Sequence, residues 1–377
     1  MRTGALLPVA IAAVTALVTV ALVGCTSTAA PPQGSGTNAP TGQPGPSPGQ
    51  NPEQNPGPSV DAASAPPTRV LADHVASPSA LLAEPDGSLL YAERLTGVVR
   101  RIDADGRLVD EPVATVPVVG GDEDQRGLLS LARDRQGRLL AVWTAAASGA
   151  NPTGQITAGQ ITAGQITAGQ ITAGQITVGQ IDVVPPRIIW DGPVSADLAN
   201  GGHLAVLPDG GLVLGIGDLL QDRALDADAS VPNRKVLRLD ADGPRSQRPS
   251  VLSSGWNNPF ALTTTANGEV WVADNTGADG PERIGRGDRP AGEATALGGP
   301  GIGEVVPSAL VDLGGGRLAL CTYKGGDLRE ISIAGGRARV TGHVLAAPCA
   351  VAAARLPDGR LATATADQLR VTTEAAP

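Results

Sequence analysis

Large aromatic side chains are scarce: one Phe, two Tyr and four Trp in 377 residues. A core has to be assembled from Val, Leu, Ile and Ala instead, which suits closely stacked sheets. Lysine is almost missing too, with only Lys235 and Lys324 against many arginines. That imbalance reads as a genomic bias, not a binding feature. The net charge of −9 argues against nucleic acid, which needs a basic footprint. Cysteine occurs three times, without Cys-x-x-Cys or paired His, which argues against a cysteine-ligated metal. The three histidines, His74, His203 and His343, leave few candidates for a general base.

The first residues read as a targeting segment. Arg2 supplies the positive start, and Ala5 to Val23 is apolar almost throughout. The run ends in Leu22-Val23-Gly24-Cys25, which is similar to the bacterial lipoprotein box, where the cysteine is lipidated and becomes the mature N-terminus. The alternative is an uncleaved transmembrane helix, since about 18–20 apolar residues span a bilayer. Both readings put the rest of the chain outside the cytoplasm, because Arg2 stays inside. Residues 26–67 are rich in Pro, Gly, Ser, Gln and Asn and cannot bury enough surface to offset chain entropy. The expected organisation is a signal segment over 1–25, a disordered tether over 26–67 and a folded domain over 68–377.

Within that domain, six Gly-bearing turns each lead into a short apolar run. They are Pro85-Asp86-Gly87, Arg135-Gln136-Gly137, Pro208-Asp209-Gly210, Ala266-Asn267-Gly268, Gly314-Gly315-Gly316 and Pro357-Asp358-Gly359. Asp-Gly and Asn-Gly supply the positive φ of a tight hairpin. The gaps from Gly to Gly are 50, 73, 58, 48 and 43 residues. A hairpin period of about 40–50 residues is that of a β-propeller with four strands to a blade. The expectation is an all-β, six-bladed propeller, with its site at the mouth of a central channel.

The longest gap contains a pentapeptide repeat, Gly-Gln-Ile-Thr-Ala and variants, over 154–183. Removing five copies, 25 residues, brings the gap to 48. Because the period is odd, an extended strand would place successive Ile on alternate faces, which does not suit a half-buried hairpin. A loop or elongated hairpin and a small solenoid are the two readings. Cys321 lies in the run after the fifth turn and Cys349 just before the sixth; in an oxidising compartment they invite a disulfide, within one blade or between neighbours, with two buried thiols as the alternative.

An ordered series of segments then points to a family. It includes Pro85-Asp86-Gly87-Ser88-Leu89-Leu90-Tyr91-Ala92-Glu93-Arg94, Asp124-Gln125-Arg126-Gly127-Leu128-Leu129 and Asn200-Gly201-Gly202-His203-Leu204. It continues through Gly215-Ile216-Gly217-Asp218, Arg234-Lys235-Val236-Leu237-Arg238, Gly255-Trp256-Asn257-Asn258-Pro259 and Gly268-Glu269-Val270-Trp271-Val272-Ala273-Asp274. Over roughly residues 70–275 the chain resembles the PQQ-dependent sugar dehydrogenases, also called glucose/sorbosone dehydrogenases, in their lipid-anchored actinobacterial form. The resemblance implies a six-bladed propeller holding PQQ and Ca²⁺ at the channel mouth. A base there removes the sugar C1 hydroxyl proton while hydride passes to the quinone.

The resemblance also assigns positions. Gln125 and Asn258 stand where the family contacts the cofactor, and Lys324 lies near its pocket lysine. Thr276 and Gly277 fall in the segment that supplies cation-binding carbonyls. The departures are as specific. The family's base is a His opening a His-x-Gly-Gly-Arg-like motif; that motif reads Ala199-Asn200-Gly201-Gly202-His203 here, with Ala199 at the base position. The family's Arg-Asn-Pro reads Asn257-Asn258-Pro259, so a cation facing the tricarboxylate cofactor is lost. His203 is the one histidine in a site segment, but four positions along a strand displace it by about 13 Å. Asp218 reads as a turn cap first and a catalytic group second.

The expectation is therefore a lipoprotein on the extracytoplasmic face of the membrane, anchored at Cys25. It keeps the dehydrogenase scaffold and binds a small sugar, an envelope glycan or a protein, with PQQ and calcium only if the family's chemistry is retained. The alternative is a working PQQ- and calcium-dependent aldose dehydrogenase. A third reading is an adhesin that makes contact through the repeat.

Overall fold

The computed structural model describes residues 65–122, 124–146, 174–221, 228–277, 280–298 and 305–376. The segment over 1–64, with Cys25, and most of the pentapeptide repeat lie outside the described residues. Among the described residues the regular secondary structure is strand, apart from one 3-10 turn at Ala291–Glu293.

The chain begins with β1 (Thr68–Asp73), which is not part of the first blade. Blade 1 is β2 (Pro78–Ala83), β3 (Leu89–Glu93), β4 (Val98–Ile102) and β5 (Leu108–Thr115). Blade 2 is β6 (Leu128–Arg133), β7 (Leu139–Ala146), β8 (Gly174–Gln180) and β9 (Arg187–Val194). Blade 3 is β10 (Gly201–Val206), β11 (Leu212–Ile216), β12 (Lys235–Leu239) and β13 (Ser250–Ser254). Blade 4 is β14 (Ala261–Thr264), β15 (Val270–Asp274), β16 (Arg283–Arg286) and β17 (Thr295–Ala296). Blade 5 is β18 (Pro307–Gly314), β19 (Arg317–Thr322), β20 (Asp327–Ala334) and β21 (Arg337–Ala346). Blade 6 is β22 (Ala352–Arg355), β23 (Leu361–Ala364) and β24 (Gln368–Thr372), completed by β1 on its outer edge.

All pairings are antiparallel, and the first strands of the blades, β2, β6, β10, β14, β18 and β22, neighbour one another in a closed ring. This is a six-bladed β-propeller. β1 pairs with β24 and covers the edge that this last strand would otherwise expose.

Each of the six turns read in the sequence joins the first strand of a blade to its second. The apolar runs that follow are the second strands: β3, β7, β11, β15 and β23 are buried almost end to end. They are buried on both faces because each blade is covered by a neighbour on either side. The outer strand β5 is largely exposed, and β13 is exposed at its start.

The core is accordingly divided into six apolar clusters, one in each seam between blades. Five of the rare aromatics are spread one to a seam: Tyr91, Trp143, Trp190, Trp256 and Trp271. The seam between blades 5 and 6 has none, and there Cys321 and Cys349 are bonded to each other.

The last copies of the repeat form β8, the third strand of blade 2, paired with β7 and β9. Ile176 packs in the seam toward blade 3 and Ile181 in the seam toward blade 1. Successive Ile do fall on opposite faces, but both faces are apolar here, so the odd period suits an inner strand. The objection drawn from a half-buried hairpin does not hold for these copies.

Candidate functional site

Antiparallel order puts the six hairpin turns at one end of the propeller. The connections between blades and the turns from second to third strands lie at the other. Every segment singled out for the family resemblance at a site position falls at this second end, drawn mainly from blades 2, 3 and 4. The first strands are irregular here: β2, β6, β10 and β18 all carry a register shift near their beginnings.

The centre is the connection from β9 to β10. Asn200 clamps it by accepting from the Ala196 N–H (2.9 Å) and donating to the Ala196 carbonyl (2.8 Å). Ala199 is held with φ +56°, its N–H donating to Gln125 Oε1 (2.9 Å) and its carbonyl accepting from Leu219 N–H (3.1 Å). Two glycines permit this packing. A Cβ on Gly217 would lie 1.9 Å from the Ala199 carbonyl oxygen. One on Gly202 (φ +91°) would lie 2.5 Å from Leu129 Cδ1. Gln125 itself is fixed through its N–H to the Asp197 carbonyl (2.7 Å). Arg94 donates to the carbonyls on either side of it, Asp124 (2.6 Å) and Arg126 (3.0 Å).

Blade 4 supplies the second half. Asn258 is 4% exposed, and its Oδ1 accepts from the Gly201 N–H (2.9 Å). Asp274, at the end of β15, is fully buried and receives the N–H groups of Asn257 (3.0 Å) and Asn258 (2.7 Å). Arg283 donates to the same carboxylate through Nε (2.8 Å) and approaches through Nη2 (2.7 Å). Desolvation pushes the Asp274 carboxyl pKa up, against these donors. Asn257 turns its amide onto Asp218 Oδ2 (3.0 Å), which also faces Arg234 Nη1 (3.5 Å). Asp218 Oδ1 accepts from the Leu220 N–H (2.9 Å), so the carboxylate caps its own turn and anchors the neighbouring blade.

The assigned residues come together unevenly. Gln125, Ala199 and Asn258 are linked by hydrogen bonds to one five-residue stretch, 199–203. Thr276 and Gly277 follow directly: Asn275 N–H donates to the Asn258 carbonyl (3.0 Å), and Thr276 N–H to Glu282 Oε2 (2.7 Å). Lys324 lies at the same end but in blade 5, and it is exposed. His203 sits inside the register shift of β10, its ring 4.9 Å from that of Phe260. Its Nε2 is buried with no partner among the described residues, and desolvation lowers its pKa to about 4. The extended-strand spacing used to separate His203 from position 199 does not apply, because Ala199, Gly201 and Gly202 all have positive φ and the chain curls. His74 is exposed after β1, and His343 is on the outer strand β21 beside Glu330 (3.6 Å).

Sequence reasoning missed Asp274 as the pivot of the site and Lys235 as a buried cation whose Nζ donates to the Asn233 carbonyl (3.1 Å). An Asp closing an otherwise apolar strand and a Lys opening one were the available signals.

These residues fit the cofactor of the sugar dehydrogenases poorly. A tricarboxylate needs cations, and the arginines beside the site segments are engaged within the chain. Arg126 pairs with Asp124 (2.6 Å) and Asp197 (3.3 Å), Arg234 with Asp218, and Arg283 with Asp274. Asn257, where the resemblance expects an arginine, points into the wall at Asp218. No proton acceptor stands on Ala199. Among the described residues no cluster of three His, Cys, Asp or Glu side chains could hold a metal ion.

No curated protein matches the chain in sequence. Solved structures match its fold. A glucose dehydrogenase superposes with TM-score 0.63 at 20% identity, covering 82% of this chain and 100% of its own. The PQQ-bound aldose sugar dehydrogenase of Streptomyces coelicolor gives 0.59 at 20% identity, covering 81% and 99%. The apo soluble aldose sugar dehydrogenase of Escherichia coli gives 0.58 at 18% identity, covering 81% and 99%. The Glucose / Sorbosone dehydrogenase family profile matches residues 75–287, and the chain belongs to that family.

Proposed function

We propose that this chain is a lipid-anchored propeller on the outer face of the cell membrane that binds a saccharide or envelope partner at its site end without oxidising it. The observation that carries this reading is the pairing of Ala199 with Asn257. One puts a methyl group where the family's base belongs, and the other turns inward to Asp218 (3.0 Å) in place of a cofactor-facing arginine. With neither group in place, the amide and carboxylate groups at this end, among them Gln125, Asn257 and Asp218, suit hydroxyl-rich ligands. Cys25, in its lipoprotein-box context, anchors the molecule, and residues 26–67 hold the propeller away from the surface.

A second reading, a PQQ- and calcium-dependent aldose dehydrogenase, is favoured by Gln125 and Asn258, which still converge on residues 199–201. In that case Thr276 and Gly277 would offer carbonyls to the cation, and the quinone would supply the redox chemistry when bound. Asp218 lies beside this stretch, its neighbour Leu219 donating to the Ala199 carbonyl (3.1 Å).

Titration with PQQ and Ca²⁺, followed by quinone absorbance and dye reduction with aldoses, separates the two. Absence of binding supports the non-oxidising reading. Tight binding with sugar-dependent reduction refutes it. Binding without reduction supports a pocket lacking its base, and Ala199→His is then expected to raise reduction above background.

A further inference from the structure

We propose that the opposite end of the propeller carries a second binding site, in the seam of blades 2 and 3, for a sugar-sized molecule bearing a phosphate or carboxylate. A cavity of about 520 Å³ opens there. That lies within the about 300–1,000 Å³ usual for small-molecule sites. It is framed by the first turn of blade 2, the first turn of blade 3 and the connection from β12 to β13. None of these elements contributes to the candidate site described above, so the proposal stands independently of that reading.

The frame is fixed by bonds across the seam. Arg138 is held by Asp134 (2.5 Å) in its own blade and reaches Asp242 (2.5 Å) in the next. Gln136 Nε2 also donates to Asp242 (3.3 Å). Arg238 is paired with Asp209 (2.7 Å). Gln247 braces the far wall, accepting from Asp240 N–H (2.9 Å) and donating to the carbonyls of Asp240 (3.0 Å) and Ile189 (3.0 Å).

Two guanidinium groups in the lining stand apart from this network. Arg135 donates only to the Pro208 carbonyl, and Arg248 makes no hydrogen bond or ion pair with the described residues. Two arginines without carboxylate partners, one from each of the two blades that line the cavity, suit an anion that each can grip bidentately. Asp240 and Gln136 add acceptors and a donor for hydroxyl groups, which selects a polyhydroxylated anion over a bare one.

The test is isothermal titration calorimetry of the full chain with glucose 6-phosphate and with glucuronate. Saturable binding of at least one probe is expected, and the tighter of the two identifies phosphate or carboxylate as the anionic group. The double variant Arg135→Ala/Arg248→Ala should weaken that binding about tenfold or more, since charge-assisted bonds are lost at both arginines. Both side chains are exposed, so an unchanged thermal midpoint is expected and certifies the fold. Glucose should compete weakly. No saturable binding of either anion, binding unchanged in the double variant, or competition by glucose as effective as by the anion itself would overturn the proposal.

Discussion

Removing the Cys321–Cys349 bond should open the propeller at one seam. The bond joins β19 of blade 5 to the residue run entering β22 of blade 6, across a separation of 28 residues. Loop-closure entropy for a loop of that size amounts to about 3.6 kcal/mol at 25 °C. The seam has no other reserve of the kind its neighbours have. Each of the other five holds one large aromatic, and a buried aromatic covers about 150–250 Å². This one is packed with Ala, Val and Leu around the cystine. The double variant Cys321→Ala/Cys349→Ala should therefore lose about 3–4 kcal/mol in denaturant unfolding. Hydrogen exchange locates the loss: β19, β22 and β23 should exchange faster, while β7 and β11 at the seam of blades 2 and 3 keep their protection. A loss below about 1 kcal/mol, or faster exchange spread evenly over all blades, would refute the assignment of the cystine to a weak seam.

Three further outcomes are expected. Burial lowers the His203 pKa to about 4, so as pH falls the unfolded chain binds the proton first and stability is lost between about pH 6.5 and 4, by at most about 3 kcal/mol. His203→Leu should flatten urea midpoints across that window, and parallel pH profiles for the two proteins would contradict this. Asp274→Ala removes a buried carboxylate holding Asn257, Asn258 and Arg283, and should cost about 3–5 kcal/mol in unfolding free energy; a loss near that of an exposed Asp would show the pivot to be dispensable. Gly217→Ala would place its Cβ 1.9 Å from the Ala199 carbonyl oxygen and should cost about 1–3 kcal/mol through local displacement. An unchanged thermal midpoint would mean that the 199–203 stretch yields freely.

The blades were legible because their signals are local. A Gly-bearing turn followed by an apolar strand is specified by adjacent residues, and all six such units joined a first strand to a second. The site was legible only in part. Gln125 and Ala199 are 74 residues apart, and Asn257 and Asp218 are 39 apart, yet each pair shares a hydrogen bond. Their contact follows from the ring that brings blades 2, 3 and 4 together. His203 was placed by a straight-strand spacing that fails because the register of β10 shifts between Gly201 and Leu204.

Sequence alone determined the number of blades, the end of each hairpin and the apolar character of every second strand, since turn chemistry and short-range pattern suffice for these. Through the family resemblance it also put Ala199 and Asn257 where a histidine and an arginine are expected. Tertiary structure decided how the chain uses what remains. It turned Asn257 onto Asp218, buried Asp274 beneath two backbone amides and Arg283, and spread five of the aromatics over five of the six seams. It also made both faces of β8 interior, so that a repeat of odd period could serve as a strand. These outcomes depend on which blade lies beside which, and that is set when the ring closes with β1 against β24.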